Sequence, residues 1–446
     1  MDGGMVMSLK GRIGNSEFLS FFRWSDEHGK GRRCMLLSAF ISTVVNAIAT
    51  GTLYTAFLAA YDFSIADVSF LGVIPSLAAC FCVLSPVFLE RFQKRRWLLA
   101  GGRLAYYLLQ LLGLTLLAIF AKDPTVRLIG FSAILLCSNL INSLFSSGYS
   151  VWHLNFMPVQ LRAKFLSYQQ ITTTVASILS LFGFGFVADA LKGTPYEAGI
   201  LTALRFVALG FVLIDVIILC LPKEYPYPRK EKKIRISNII RLPLKQKKFM
   251  LTMAVVVMWT FSTAFPSASW SYFLLHDIGT GVTILNLFFP FMAVCLLLSP
   301  LWRKLIYRFS WFHVFAYCAM VHTASLFLMA FISKENYLWV YTIGIFIQAL
   351  IGVGLNLCWA NVPFINTPQT DQTYYLSFYT LTVSIGTFLG NSAGAWFVRI
   401  FPEKGIDLLG KTFVTVPCML LTQIVLYAIT ITFIFCNLKK LQPNET

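Results

Sequence analysis

Twelve apolar stretches divide this chain, and each one is long enough to cross a lipid bilayer as a helix. A transmembrane helix needs about 20 mostly apolar residues, and a helix pairs its own backbone polar groups where no water is available. The sequence therefore predicts an all-α integral membrane protein with twelve transmembrane helices. The predicted segments, numbered 1 to 12, cover residues 34–61, 65–89, 97–121, 126–153, 165–190, 199–221, 249–275, 280–302, 311–333, 338–362, 373–398 and 411–436.

The composition excludes a soluble enzyme and argues against a nucleic-acid partner. Hydrophobic residues make up 57% of the 446 residues and charged residues 12%, whereas a soluble domain carries about 25% charged residues. The net charge is +17, but the basic residues lie between apolar segments, as they do at the cytoplasmic face of a membrane. No nucleic-acid binding is expected.

The distribution of Lys and Arg predicts the orientation. Of the 36 basic residues, 27 lie in the N-terminal segment, the central segment, the C-terminal tail and the loops on their side, and seven lie in the opposite loops. Cytoplasmic loops carry the excess of positive charge. Both termini are therefore expected in the cytoplasm. With no organelle address in the sequence, we expect a bacterial cytoplasmic (plasma) membrane.

A basic segment between the sixth and seventh stretches divides the chain into two sets of six. The predicted parts are a cytoplasmic N-terminal segment, a first six-helix bundle, a basic linker, a second six-helix bundle and a cytoplasmic tail, at residues 1–33, 34–221, 222–248, 249–436 and 437–446. The linker carries ten basic residues and several isoleucines. These isoleucines are compatible with a short amphipathic helix on anionic headgroups or with a solvated linker.

The two sets of six are related by an internal repeat. Leu84-Ser85-Pro86 in segment 2 is followed by a basic loop and Trp97, and Leu298-Ser299-Pro300 in segment 8 is followed by a basic loop and Trp311. The offset is 214 residues in both matches. Further matches between segments 4–5 and 10–11 occur at an offset of 210. Their common order indicates two related six-helix units.

This 6+6 arrangement with a long basic linker resembles the major facilitator superfamily of secondary transporters. The loop after segment 2 keeps the acidic and basic residues of the family pattern, while Pro86 and Gln93 replace its glycines. The residues WHLNFMPVQLR, from Trp152 to Arg162, are similar to a bacterial branch of the superfamily. The resemblance implies alternating access, with a cytoplasmic gate formed by Glu90, Arg91, Arg95 and Arg162. The alternative interpretation is that these four residues only fix topology and contact phospholipids.

The family fold places helices 1, 4, 7 and 10 around a central cavity, and each of these four segments carries a polar stripe at helical spacing. Polar groups in hydrocarbon are costly unless they face a neighbour or water. The predicted substrate-binding residues are Asn46, Thr50, Tyr54, Asn139, Asn142, Trp259, Thr263, Gln348, Asn356 and Trp359. The alternative is that these side chains join helices by hydrogen bonds worth about 0.6 kcal/mol each.

The chemistry of these stripes predicts the kind of solute. Amide and hydroxyl groups bind hydroxyl-rich solutes and indole faces stack on rings, so a neutral sugar-like or nucleoside-like solute is favoured. Arg103 in segment 3 is a candidate anion contact, although snorkelling toward the interface is the favoured interpretation. The alternative functions are an exporter of amphipathic or anionic compounds and a non-transporting protein of the same fold, such as a sensor or lipid scramblase.

The titratable groups in the sequence bear on the coupling of transport to an ion, and its motifs bear on cofactors and partners. Asp215 is the clear intramembrane acid, and it lies in a peripheral helix. Facilitated diffusion is therefore weighed beside a coupling proton or ion, with His153 and His322 as titratable groups. The sequence has no GK[ST] loop, H-E-x-x-H or G-x-S-x-G, so no cofactor, metal or enzyme activity is expected. The expected partners are a small-molecule substrate and membrane lipids, with the protein a monomer.

Overall fold

The computed structural model of the chain describes residues 27–154, 162–224, 236–368, 372–401, 405–408 and 411–441. Twelve long helical spans lie within these ranges. The first half contains span 1 (Glu27–Ala49 and Gly51–Ala60), span 2 (Ile65–Ala79, Cys80–Leu84 and Ser85–Leu89), span 3 (Arg96–Tyr107, Leu108–Gly113 and Leu114–Phe120), span 4 (Pro124–Leu154), span 5 (Arg162–Ala190) and span 6 (Glu197–Cys220).

The second half repeats this arrangement after a short helix, Ile236–Leu244. It contains span 7 (Lys247–Ala264, Ser267–Tyr272 and Phe273–Ile278), span 8 (Val282–Leu285, Phe288–Cys295, Leu296–Leu298 and Ser299–Phe309), span 9 (Trp311–Met329), span 10 (Tyr337–Asn361), span 11 (Gln372–Ile400) and span 12 (Thr415–Leu441). Strands β1 (Ile406–Leu408) and β2 (Lys411–Phe413) form an antiparallel hairpin before span 12.

Eleven of the described spans are long and apolar enough to cross a membrane by length and composition, and span 11 completes the twelve. Span 11 is less apolar because it packs against protein, between spans 2 and 7. Its glycines allow close contact, since a Cβ at Gly390 or Gly394 would meet the backbone of Phe261 or Phe265 in span 7. Small residues at such interfaces let transmembrane helices approach each other closely. The predicted twelve-helix all-α fold is confirmed.

The predicted boundaries agree with the spans to within four residues except at the start of span 1 and at the ends of spans 8 and 12, the last at Leu441 rather than residue 436. Span 1 begins at Glu27 rather than residue 34, and span 8 continues to Phe309 rather than residue 302. The predicted start of segment 12 at residue 411 was wrong, because Lys411–Phe413 pairs with β1 as a strand. Periodicity could not show this, since a hairpin depends on its partner strand.

The repeated Leu-Ser-Pro sequence produces the same break in both halves. In span 2 a 3₁₀ turn, Cys80–Leu84, ends where Ser85–Leu89 begins, and in span 8 the 3₁₀ turn Leu296–Leu298 ends where Ser299–Phe309 begins. Proline has no N–H to donate and is tolerated in the first turn of a helix. The internal repeat of the sequence is therefore also a repeat of local geometry.

Spans 1 and 7 are interrupted partway through the bilayer. In span 1, Thr50 is extended and Gly51 has a φ of +69°, in the left-handed region that glycine tolerates best. In span 7 the helix ends at Ala264 and restarts after Pro266. Discontinuous helices of this kind are typical of solute sites in secondary transporters.

The two halves contact each other through spans 2 and 11 and through spans 5 and 8. The side of the membrane that carries the linker is called the linker side here, and the other the far side. Hydrogen bonds between the halves cluster toward the far side: Ser69 with Ser269 at 2.8 Å, and Asn286 Nδ2 with Thr52 Oγ1 at 3.0 Å. The described halves are thus joined at the far side.

An ion pair lies inside the first half. Arg103 Nη1 of span 3 is 2.8 Å from Asp215 Oδ2 of span 6 and also donates to Ser38 Oγ at 3.0 Å. Its guanidinium lies over the ring of Tyr149, 4.5 Å from the ring centroid. Asp215 is 1% exposed and Arg103 14% exposed. The ion pair and its two neighbouring contacts connect spans 1, 3, 4 and 6.

The short helix Ile236–Leu244 packs against span 11 with one face. Ile239 and Pro243 are buried, whereas Ile240 and Leu244 are exposed on the other face beside the basic Arg241. The structure shows a short helix in this part of the linker, with its buried face on protein. Its contact with lipid headgroups stays a prediction.

Replacing Asp215 with Asn should destabilise the first half strongly. The Arg103 guanidinium would lose its counter-charge in the interior, which costs about 3–5 kcal/mol of unfolding free energy. The midpoint of thermal unfolding of the purified protein measures this loss. Asp62→Asn, at an exposed turn, is the control and should leave the midpoint unchanged. Equal midpoints for the two variants would show that the ion pair contributes nothing.

Candidate functional site

A cavity of about 370 Å³ lies among spans 7, 8, 9, 10 and 12 of the second half. We call it the first cavity. This volume is within the range of small-molecule sites. The side chains that line it are Trp259, Thr263, Phe288, Phe315, His322, Gln348, Gly352, Leu355, Asn356, Trp359 and Tyr427.

Aromatic rings form most of the wall of the first cavity. The ring of Trp259 lies 4.7 Å from that of Tyr427 and 4.8 Å from that of Phe315, and Phe315 stacks on Trp359 at 6.1 Å, between ring centroids in each case. The Thr263 and Tyr427 hydroxyls share a hydrogen bond of 2.9 Å. These contacts hold flat apolar faces in fixed positions, as a ring-shaped ligand requires.

Amide groups provide the polar contacts of the first cavity. Gln348 Nε2 donates to Ser325 Oγ at 3.2 Å, which leaves its carbonyl oxygen available as an acceptor. Asn356 is exposed, and its side chain has no hydrogen-bond partner among the described residues. Free amides beside aromatic faces can donate to and accept from hydroxyl groups of a bound solute.

All five second-half residues predicted to bind substrate line the first cavity: Trp259, Thr263, Gln348, Asn356 and Trp359. The polar stripes of segments 7 and 10 therefore meet in space. Sequence reasoning missed the contributions of spans 8, 9 and 12, namely Phe288, Phe315, His322 and Tyr427. Phe315 and His322 are seven residues apart on one helix face, which is a signal the sequence did carry.

The five first-half residues predicted to bind substrate are not in the lining of this cavity. Asn46 accepts a hydrogen bond from the Tyr107 hydroxyl at 3.1 Å, and the Thr50 hydroxyl donates to the Asn46 carbonyl at 2.8 Å. Asn139 donates to the carbonyl of Leu135 in its own helix.

The two other first-half residues lie in different environments. Asn142 is exposed, and the hydroxyl of Tyr54 is buried with no partner among the described residues. Substrate contact by all five residues stays a prediction.

A second cavity of about 490 Å³ lies between the halves, and it adjoins the first because Phe288 and Asn356 line both. Span 5 contributes one wall and spans 8 and 10 the others. Its lining residues are Gln170, Thr173, Thr174, Ser177, Phe288, Phe289, Met292, Leu296, Ser299, Val353, Asn356 and Leu357.

Among the described residues that line the two cavities there is no Asp, Glu, Lys or Arg. Arg103, the candidate anion contact, instead pairs with Asp215. Arg205 is 2% exposed inside the first half, where its Nε donates to Thr115 Oγ1 at 2.7 Å and its guanidinium lies 4.4 Å from the ring centroid of Phe57. The interior cations are held by the first half and lie away from the cavities.

The predicted gate residues lie on the linker side. Arg91 is exposed and Glu90 half-buried, and neither belongs to the ion pairs of the described residues, Arg103–Asp215 and His276–Asp277. Arg162 begins span 5, and its side chain lies outside the described residues.

Glu224 organises the same loop, which the sequence did not show. One carboxylate oxygen accepts the backbone N–H groups of Arg95 and Arg96, the latter at 2.8 Å. Arg96 also donates from its guanidinium to the Pro222 carbonyl. The beginning of the linker is thereby tied to the start of span 3.

A polar latch closes the far side between spans 5, 7 and 8. The Asp189 carboxylate accepts the N–H groups of Val282 at 2.6 Å and Thr283 at 2.9 Å, the first residues of span 8. Lys192 donates from Nζ to the carbonyls of Leu275, at 3.0 Å, and Thr280. One end of span 5 thus satisfies backbone groups at the end of span 7 and the start of span 8.

Two effects on the pKa of Lys192 in the latch oppose each other. Burial lowers the pKa of the Lys192 ammonium, while the nearby Asp189 and Glu197 carboxylates act to raise it. Glu197 also accepts the backbone N–H of Gly193 at 2.7 Å. The ammonium is partly buried, and both carboxylates are near enough to favour its charged form.

A sequence profile of the Major Facilitator Superfamily matches residues 35–391 of this chain. No curated protein matches the sequence. Many solved structures share the fold with this chain, and three of them illustrate the range.

The first is a mutant of the nucleoside transporter NupG, with a TM-score of 0.72 at 10% identity, over 92% of this chain and 100% of that chain. The second, a bacterial homologue of the iron transporter ferroportin in an inward-facing state, has a TM-score of 0.68 at 15% identity, over 91% and 98%. The third, the inward-open xylose transporter XylE from E. coli, has 0.62 at 12% identity, over 90% and 95%. Such identities establish the fold alone.

Replacing Asp189 with Ala should weaken the closure of the far side, because two N–H groups of span 8 lose their acceptor. With native cysteines replaced, Ser69→Cys and Ser269→Cys place two thiols where hydroxyls now lie 2.8 Å apart. Their rate of disulfide formation reports closure and should fall several-fold in Asp189→Ala.

Asp123→Ala is the matched control for this experiment. Asp123 accepts the N–H groups of Thr125 and Val126 by the same capping chemistry, but within the first half. An equal effect of the two substitutions on the crosslinking rate would contradict a role for Asp189 in joining the halves.

Proposed function

The chain belongs to the major facilitator superfamily, and from this premise we propose that it carries a small, neutral, hydroxyl-rich solute across the membrane by alternating access. It is a multi-pass integral membrane transporter. A sugar or a nucleoside is the solute class that fits best. The observation that carries this proposal is the first cavity, where aromatic faces meet the Gln348 carbonyl and the Asn356 amide, and where the described lining residues include no Asp, Glu, Lys or Arg.

The described residues of both linings carry no Asp, Glu, Lys or Arg, which supports a neutral solute rather than an ionic one. An anion would need a Lys or Arg in the lining, and a cation would need a carboxylate, because an unpaired ion is costly to bury. Indole and phenol rings instead stack on the apolar faces of a sugar or base. The amides of Gln348 and Asn356 then bind its hydroxyl groups.

The orientation follows from charge. The linker side carries 27 of the basic residues against seven on the other side, so we place it in the cytoplasm of a plasma membrane. The hydrogen bonds between the halves lie on the opposite side, and the described conformation is therefore inward-facing. Its transition to an outward-facing state breaks the latch of Asp189 and Lys192.

The remaining predicted residues act, in this proposal, in the other conformation. When the halves close over the solute, Asn46, Thr50 and Asn142 of the first half meet it from the opposite side. Glu90, Arg91, Arg95 and Arg162 then form ion pairs between the halves on the cytoplasmic side. The protein acts as a monomer, with the Ile236–Leu244 helix on the lipid headgroups.

The driving force we propose is the gradient of the solute itself. The described residues of both linings include no carboxylate to carry a proton. His322 is the imidazole among them, and it is the side chain to replace in a test of proton coupling.

Removing Trp359 should weaken solute binding about tenfold or more, because stacking on an aromatic ring is worth about 1–3 kcal/mol. A screen of sugars and nucleosides by thermal shift identifies the solute, and titration then compares the wild type with Trp359→Ala. Trp339→Ala is the control, since that side chain is 72% exposed on the same span. Equal loss of affinity in both variants would contradict binding in the first cavity.

A proton gradient should not concentrate the solute. In proteoliposomes, uptake should stop when the internal concentration equals the external one, with or without an inward proton gradient. Accumulation above that level that is driven by the gradient and lost in His322→Gln would overturn the proposal of facilitated diffusion. It would assign proton coupling to His322.

A further inference from the structure

The second cavity adjoins the first and is lined by residues of spans 5, 8 and 10. Span 8 presents Phe288, Phe289, Met292 and Leu296 to it, at positions that share one side of the helix. Span 10 adds Val353 and Leu357, four residues apart. Two of its walls are therefore mainly apolar.

The opposite wall, on span 5, carries Gln170, Thr173, Thr174 and Ser177. The Thr173 hydroxyl donates within its own helix, to the carbonyls of Gln169 and Gln170. The Thr174 hydroxyl accepts a long hydrogen bond of 3.4 Å from Gln170. The two threonine hydroxyls therefore have partners, and the apolar surface of the cavity lies on spans 8 and 10.

The two cavities meet at Phe288 and Asn356, which belong to both linings. Asn356 is exposed and its amide has no partner among the described residues. An amide at this junction suits a polar atom that links two parts of one molecule, such as a glycosidic or ester oxygen. A ligand whose ring lies in the first cavity would extend past Asn356 into the second.

We infer that the solute is amphipathic, with a neutral ring-bearing head in the first cavity and a short apolar chain in the second. This inference rests on the proposed function, because it keeps the same site and extends the substrate class. An apolar chain is the occupant favoured by the side chains of Met292 and Leu296, which offer no hydrogen bonds. The head supplies the hydroxyl groups that the amides of the first cavity recognise.

The test compares head groups with and without a chain, on full-length protein in nanodiscs. Methyl β-D-glucoside is paired with hexyl β-D-glucoside, and uridine with 5′-O-hexanoyluridine, all below micelle-forming concentrations. Tryptophan fluorescence measures binding, since Trp259 and Trp359 lie in the first cavity. Burial of each methylene strengthens binding about threefold to fourfold. The hexyl or hexanoyl group should therefore raise the affinity of the ligand at least tenfold, even when it is only partly buried.

Two substitutions test whether the apolar chain of the ligand lies in the second cavity. Met292→Asn and Leu296→Asn should each reduce the ratio of long-chain to short-chain affinity to less than threefold. Leu297→Asn is the matched control on the same span, since Leu297 is 80% exposed and lines neither cavity. Its ratio should equal that of the wild type, which separates specific binding from partition into lipid.

The outcomes separate this inference from the proposed function. If short-chain heads bind but the chain adds no affinity, or if all three variants behave alike, the amphipathic inference is overturned and the neutral-solute transporter stands. If neither the sugar nor the nucleoside series binds, the proposed function fails together with the inference.

Discussion

Every polar group within the hydrocarbon layer must find a partner in the protein or in a water-filled cavity, and the rest of the structure depends on this requirement. It makes the chain helical and places Arg103 against Asp215 inside the first half. It also explains the far side, where Asp189 and Lys192 satisfy the free helix ends of spans 7 and 8. Some polar groups without protein partners line cavities, as the amide of Asn356 does.

The transmembrane layout could be predicted from the sequence because hydropathy and charge act locally. The length of each apolar run sets each span, and the Leu-Ser-Pro repeat marks equivalent breaks in spans 2 and 8. What depends on distant partners could not be predicted. The strand at Lys411–Phe413 needs β1, and the interruption at Gly51 shows only as a positive φ in the folded chain.

The candidate site likewise has a part that could be predicted from the sequence and a part that could not. Polar stripes on spans 7 and 10 could be recognised because helical spacing places their residues on one face, and those residues do meet in the first cavity. Their counterparts on spans 1 and 4 lie outside that lining in the described conformation. A stripe shows which face avoids lipid, but the conformation decides which stripes share a cavity. Aromatic contributors such as Phe315 were missed because an apolar ring resembles ordinary core.

Alternating access of the two halves is tested most directly by distances measured with and without solute. Spin labels at exposed Lys94 and Arg308 report the linker side, and labels at exposed Ser64 and Asp277 report the far side, in a background without native cysteines. Double electron–electron resonance then gives both distance distributions. Rocking of the halves predicts that a bound solute shortens the linker-side distance while lengthening the far-side one. Distances that do not respond to solute, or that change in the same direction, would contradict it.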